Sequence, residues 1–312
     1  MAYASSILVV DSYATGLVMQ TPRLPGKGET VIGHSFRAVH GGKGSNQAVQ
    51  AARLGAQTAF VACVGTDTYG DALIKLMQDE GVNINGVIRH AVLPTGVGFI
   101  IVDAEGHNLI AVDLGANTAL SPADLEARRA HFENAAVVVA QLEIRVETAL
   151  AAMRLGKACG ACTILNPAPA HDLSDHDLSC VDIITPNETE TLVCAGMPGG
   201  DLHAAMHRLR ALGCRTVVTT TGAAGCLWLD ETAGEARAVP TWHVDVVDTV
   251  GAGDAFTAGL AVGLSEGMEM RDALRFGHAA AALSVTKPDT IPSYHRRDKV
   301  DALLHGAKGA VR

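Results

Sequence analysis

The chain has 312 residues, and 24 Lys+Arg against 33 Asp+Glu leave a formal charge of −9. That acidic balance argues against nucleic acid as the main partner, and aromatics at 4% leave little for a base-stacking surface. With 48% hydrophobic and 18% charged residues the composition is globular, which excludes disorder and coiled coil, and no window approaches the ~20 apolar residues of a membrane span.

The first short apolar run, 7–10, has no basic stretch ahead of it and reads as a strand rather than a signal peptide. Residues 16–38 show strand-like alternation around Thr30-Val31-Ile32, with a Pro25-Gly26 turn and no helical spacing. A glycine-rich loop then leads into a helix over 46–54, a strand over 58–64 and a helix over 69–80. Residues 95–113 again lack a helix, and together with 16–38 they predict a small antiparallel sheet projecting as a lid. Ser121, Pro122 and Asp124 give the start signals of a helix over 121–134. Beyond it, strands over 137–141, 163–166, 183–186 and 216–220 alternate with helices over 147–157, 188–195 and 201–212. The stretch 241–247 is strand-like and 255–264 helical. Apolar runs alternating with helices predict an α/β fold, a three-layer α/β/α arrangement around a mostly parallel sheet. No linker or repeat interrupts it, so 1–312 reads as one domain with an appendage.

Seven scattered cysteines, an odd number, suggest reduced thiols and a cytoplasmic home. Cys159 and Cys162 are spaced as a redox dithiol, but they follow a helix and precede a strand, the reverse of the usual order, and read as packing residues.

Asp248-Thr249-Val250-Gly251-Ala252-Gly253-Asp254-Ala255-Phe256 is the most informative segment. Glycines at a helix start let backbone N–H groups converge on an anion. An Asp beside bound phosphate needs a task, and accepting the proton of a hydroxyl that attacks a phosphoryl group supplies one. The alternative is a plain N-cap; a dinucleotide fingerprint fails because its third position is Phe256. In Gly41-Gly42-Lys43-Gly44-Ser45-Asn46 the natural donors to a polar ligand are Lys43 and Asn46, with a structural glycine turn as the alternative. Asn187 and Glu190, three apart at a helix start, suit Mg²⁺ coordination and a capping box equally. Thr220–Gly225 is a tight turn that a nucleotide can approach, and Asn166-Pro167-Ala168-Pro169-Ala170 ends a further strand. These loops fall at the carboxyl ends of parallel strands, where open α/β sheets bind ligands. Of thirteen histidines only His278, ahead of an Ala-rich run, stands out.

These segments, taken in order with Gln141-Leu142-Glu143 and Phe276-Gly277-His278, resemble the ribokinase-like, or PfkB-type, carbohydrate kinases, and within them the ribokinase branch. The resemblance spans nearly the whole chain. It implies ATP-dependent phosphorylation of a sugar's primary hydroxyl, with Mg²⁺ and K⁺, by a dimer formed through the β lid. Carried over by position, Asp254 is the base and the amides of Gly251, Ala252 and Gly253 form the anion hole. Ser12, Gly42, Lys43, Asn46 and Glu143 grip the sugar. Asn187 and Glu190 serve the Mg²⁺–phosphate end, while Thr220, Gly222, Gly225, Gly253 and His278 line the nucleotide. The monovalent-cation site falls on Asp248, Val250, Ser284, Lys287, Asp289 and Ser293, although Lys287-Pro288-Asp289-Thr290 departs from the family's basic-then-glycine pattern. Ribose-type members also carry Asn and Asp two residues apart after the first strand. Here those places hold Ala14 and Gly16, which is expected to leave room at the sugar. That departure points to another sugar, a deoxysugar or a nucleoside. A sugar- or nucleotide-binding protein without activity is the reading from a different class.

Overall fold

The computed structural model describes residues 6–232 and 234–306. The chain opens with β1 (Ser6–Val10), β2 (Ala14–Gln20), β3 (His34–Gly41), α1 (Lys43–Arg53), β4 (Gln57–Val61) and β5 (Cys63–Gly65). It continues through α2 (Thr68–Asp79), β6 (Ile88–His90), β7 (Gly96–Val102), β8 (Asn108–Asp113), α3 (Pro122–Glu126), α4 (Arg129–Glu133) and β9 (Val137–Ala140). Next come α5 (Val146–Ala158), β10 (Cys162–Leu165), β11 (Ile183–Ile184), α6 (Glu188–Cys194), α7 (Leu202–Ala211) and β12 (Thr216–Thr220). The hairpin β13 (Cys226–Leu229) and β14 (Arg237–Val239) and the helices α8 (Ala252–Ser265), α9 (Met270–Ser284) and α10 (Arg297–Gly306) complete it.

The main sheet runs β14-β13-β12-β11-β10-β9-β1-β4, parallel from β4 to β12 and antiparallel over the last two strands. Its strands are continuous apolar runs because both faces are covered. Alternate residues supply two separate cores: Ile7 and Val9 pack with α1, α2, α8 and α9, while Leu8 and Val10 pack with α3, α4, α5 and α7. The three-layer expectation holds. In all the parallel strands, the carboxyl ends lie along one edge, so Asp11, Gln141, Asn166, Thr185 and Thr220 are brought there from distant parts of the sequence.

A second sheet, β3-β2-β7-β8, forms the projecting layer expected from 16–38 and 95–113. It is mixed rather than antiparallel, because β2 pairs with β7 in parallel. Thr30-Val31-Ile32 lies in the irregular connection between β2 and β3, without a strand partner. The run 58–64 divides, since β4 stays beside β1 while β5 turns away to pair with β6. Likewise 121–134 breaks into α3 and α4. The largest departure is 241–247, which forms no strand among the described residues: β14 already ends the sheet, and the Val247 and Asp248 amides both donate to the Val285 carbonyl at the end of α9. Cys159 closes α5 and Cys162 opens β10, in the order expected of packing residues, and burial pushes the Cys162 thiol up to about 12. None of the described helices is long and apolar enough to cross a membrane.

Candidate active site

A turn that only glycine adopts without strain opens α8. Gly251 has φ of 80°, and a Cβ there would lie 2.7 Å from Tyr294 Oη, which donates to the Gly251 carbonyl. The Gly251 and Gly253 amides donate to no described residue and face a helix N-terminus, where an anion is favoured. The Ala252 amide differs from expectation: it donates to the Thr249 carbonyl at 3.2 Å and is spent on the turn. Asp254, on the first turn of α8, is buried. Asn46 Nδ2 donates to its Oδ2 and Gln47 Nε2 to its Oδ1, each at 2.9 Å.

Gln47 was not singled out as a site residue by the sequence, yet it is the hub of this network. Its Nε2 also donates to Asn166 Oδ1 at 3.1 Å, its Oε1 accepts from Gln141 Nε2, and Asn166 Nδ2 is anchored on the Thr185 carbonyl. Three strand ends and α1 thus hold one carboxylate by fully buried amides. The signal in the sequence is Gln47 following Asn46 at the start of a helix, one step further round the same turn.

The opposite wall is the start of α1. Gly42 has φ of 91°, and a Cβ would sit 2.7 Å from Tyr13 Cα, so the loop closes tightly over the end of β1. Glu143 Oε2 accepts from the Lys43 amide at 2.8 Å and from Ser12 Oγ at 2.5 Å, capping α1 with a negative charge. Ser12 is buried and its hydroxyl is committed to Glu143, so it supports the site from behind. Burial pulls the Lys43 ammonium down, but nearby carboxylates, Asp254 first and then Glu143 and Glu190, outweigh that and raise it, so the amine stays charged.

A cavity of about 360 Å³ opens between these walls, lined among others by Lys43, Asn187, Glu190, Thr220, Gly253 and Asp254. Asn187 and Glu190 form a capping box, each side chain bonded to the other's amide at 2.8 Å. Burial raises the Glu190 carboxyl, opposed by the Asn187 amide and by Lys43. A second cavity of about 290 Å³ shares Thr220, Gly222 and Gly253 with the first. Its walls include Gly225, Trp242, Val244, Phe256 and His278. Of residues 241–247, expected as a strand, Thr241, Trp242, His243, Val244 and Val246 line it instead. Burial pulls His278 down to about 4, so it is a neutral imidazole tilted on Phe256 with centroids 4.7 Å apart, and its Nε2 has no partner among the described residues. A polar phosphate-sized space joined to an apolar one suits a nucleoside triphosphate lying across the head of α8.

A sequence profile of the pfkB family carbohydrate kinases matches residues 4–297. The chain belongs to that family. It is a ribokinase-type carbohydrate kinase by relatives and fold together. Ribokinase of Mus musculus is 37% identical over 308 residues, which covers 96% of this chain and 95% of the relative. Deoxyribokinase of Salmonella typhi is 35% identical over 292 residues, covering 92% and 95%. The structure of Arabidopsis thaliana ribokinase complexed with ribose and ATP superposes with a TM-score of 0.89 at 31% identity, covering 96% of this chain and 99% of that one.

One part of this kinase departs from expectation. Gly16 leaves no room at the sugar: a Cβ there would lie 2.9 Å from Val39 Cγ2 and 3.6 Å from Ile100 Cδ1, so apolar side chains from β3 and β7 fill the place. In the segments expected to hold a monovalent cation, Asp248 accepts the Val250 and Asp289 amides at 3.0 Å each, and Ser284 and Ser293 turn their hydroxyls onto Ala281 and Thr290 carbonyls. Asp289 stands at φ of 65°, where a side chain is strained, and its carboxylate pairs with Arg37 of β3 at 2.6 Å.

Proposed function

We propose that residues 1–312 act as one kinase unit, which moves the γ-phosphoryl group of ATP to the primary hydroxyl of a sugar bound under the lid. The observation that carries this reading is Asp254, buried at the head of α8 beside two unspent glycine amides and held through both oxygens by Asn46 and Gln47. The hydroxyl gives its proton to Asp254 as its oxygen bonds to phosphorus, and the bond from phosphorus to the departing ADP oxygen breaks. The Gly251 and Gly253 amides and the charged Lys43 meet the negative charge that the phosphoryl group spreads over its oxygens. Glu143 Oε1, which accepts no hydrogen bond from the described residues, is the acceptor for a sugar hydroxyl.

Among the described residues no three acidic, His or Cys side chains gather as a metal cage. The donor set suits Mg²⁺ held by one carboxylate, Glu190, with water and phosphate oxygens completing the shell. When bound, Mg²⁺ neutralises phosphate charge. A K⁺ on the cation loop is supported by the carbonyls of Asp248, Val250, Lys287 and Asp289, none of which accepts a hydrogen bond from a described residue. The lid exposes Phe99 and Leu109 on one face, a patch that supports a homodimer formed there. Seven free thiols support a reducing, cytoplasmic setting.

For the sugar, Ala14 and Gly16 with the Val39–Ile100 wall support a substrate that presents carbon rather than hydroxyl at that edge, a deoxysugar above ribose. A coupled ADP-release screen across pentoses, deoxypentoses, hexoses and nucleosides tests both levels. Turnover on at least one sugar, cut by about 10²–10⁴-fold in Asp254→Asn with ATP binding kept, is the expected result. An Asp254→Asn variant holding more than a tenth of wild-type turnover overturns the assigned base.

A further inference from the structure

Asp11 belongs to none of the roles above, yet it is a fully buried carboxyl group at the end of β1, against the sugar side of the site. Its amide donates to the Val61 carbonyl of β4, and the first turn of α1 is pressed against it, since a Cβ on Gly44 would lie 2.8 Å from Asp11 Cβ. Ser12 Oγ stands between two carboxyl groups, 3.3 Å from Asp11 Oδ2 and 2.5 Å from Glu143 Oε2. Asp11 Oδ1 is buried with no partner among the described residues.

A hydroxyl has one hydrogen to give. The shorter contact takes it to Glu143, whose Oε2 also receives the Lys43 amide. An ionised Asp11 would then face the lone pairs of Ser12 Oγ with one oxygen and bare protein with the other, an arrangement that burial makes costly. A protonated Asp11 removes both difficulties, because Oδ2–H becomes the donor and Oδ1 a neutral carbonyl.

We propose that Asp11 carries its carboxyl proton in the native enzyme and acts as a positioning residue, donating to Ser12 Oγ so that Ser12 in turn donates to Glu143 and fixes Glu143 Oε1 toward a sugar hydroxyl. Two donated hydrogen bonds, Asp11 to Ser12 and Ser12 to Glu143, then run in one direction, and the sugar hydroxyl donates to the other oxygen of the same Glu143 carboxylate. The groups that reach Asp11 pull in opposite directions, and the balance falls on the side of the proton. The Glu143 carboxylate after β9 opposes a second negative charge, while hydrogen bonding from Ser12 and the Lys43 ammonium on α1 favour one. Burial first and Glu143 second raise the Asp11 carboxyl well above the usual carboxylate range. Ionisation of Asp11 at alkaline pH reverses the chain: Ser12 is drawn toward the new carboxylate, and Glu143 loses a donor.

The functional half of this rests on the kinase reading given above; the protonation does not, and the experiment separates them. Infrared difference spectra of wild type against Asp11→Asn, recorded without substrates, read the acid itself. A protonated carboxyl C=O band present in the wild type at neutral pH and missing from the variant is the expected result. Kinetics then read the relay. The sugar KM of the wild type rises about tenfold with alkaline pH, as loss of one hydrogen bond to a charged group requires. In Asp11→Asn, whose amide still donates to Ser12 Oγ but cannot titrate, that rise is gone. Asp11→Ala, with no donor, has the raised sugar KM already at neutral pH, while the ATP KM stays as in wild type. A carboxylate band only, with no C=O band lost in Asp11→Asn, overturns the proposal whatever the kinase activity. So does an alkaline rise in sugar KM that persists unchanged in Asp11→Asn.

Discussion

Removing the Gln47 amide tests how far the catalytic carboxylate depends on its support. In Gln47→Leu the side-chain bulk stays close to native, while Asp254 Oδ1 loses the donor now at 2.9 Å. A hydrogen bond to a charged group contributes ~1.5–3 kcal/mol, and at 1.36 kcal/mol per decade its loss predicts a kcat lower by about 10- to 150-fold. Asn166 Oδ1 and Gln141 Nε2 lose a partner in the same step, so a drop in thermal midpoint accompanies the kinetic loss. Steady-state ADP release with the sugar at saturation measures kcat, and a binding titration with ATP alone separates nucleotide affinity, which is expected to hold within about twofold because Gln47 does not line the nucleotide cavity. The double variant Gln47→Leu/Asp254→Asn adds a sharper criterion. If Gln47 acts only by orienting Asp254, its removal costs little once the carboxylate is gone. A folded Gln47→Leu enzyme with kcat within threefold of wild type refutes the reasoning, and so does full additivity in the double variant.

Restoring Asn and Asp to positions 14 and 16 is expected to fail by itself, because Val39 Cγ2 stands 2.9 Å from where the new Cβ must go. Ala14→Asn/Gly16→Asp/Val39→Ala is expected to raise ribose kcat/KM at least about tenfold, the return on one or two hydrogen bonds; a gain in the double variant that the triple does not exceed would show that Val39 is no obstacle. His278 gives a pH-dependent stability with a definite sign. Its folded pKa, about 4, lies below the 6.5 of the unfolded side chain, so its contribution is complete above pH 6.5 and falls away as pH drops toward 4, by about 3 kcal/mol in all. Melting curves of wild type and His278→Gln should therefore converge over that window, and parallel curves would remove His278 as the cause. On the lid, Phe99→Lys with Leu109→Lys places two charges on the face that Leu17 and Ile101 share, and sedimentation velocity is expected to show dimers in the wild type and monomers in the variant. Monomers in both would end the dimer proposal.

Much of the fold was legible because its causes are local. Strands covered on both faces must be continuously apolar, and Ile7–Val10 and Val137–Ala140 are. Glycine where φ must be positive marked Gly42 and Gly251, and the polar residues beside them marked the two walls of the site. Asn187 and Glu190 show the limit of such signals: the same spacing serves a helix cap and a metal, and the cap is what the free chain makes.

Pattern could not supply partners. A strand exists only where another strand offers its hydrogen bonds, so 241–247, with strand-like residues and no open sheet edge, stays irregular and helps wall the apolar cavity beside α8, while 58–64 splits between two neighbours. The same holds for side chains. Gln47 is ordinary in a helix until the sheet brings Asp254 beside it across 207 residues, and Gly16 reads as empty space until Val39 and Ile100 are folded into it. Asp11 reads as one more loop carboxylate in sequence; only the closure of α1 over the end of β1 takes it from water and leaves it next to Ser12 and Glu143. The sequence by itself determined most of the elements and the glycine turn with its carboxylate at the head of α8, since both follow from residues close in the chain. Contacts made across the sheet decided what holds Asp254 and what fills the space beside Gly16, because burial and charge at a site depend on every element that reaches it.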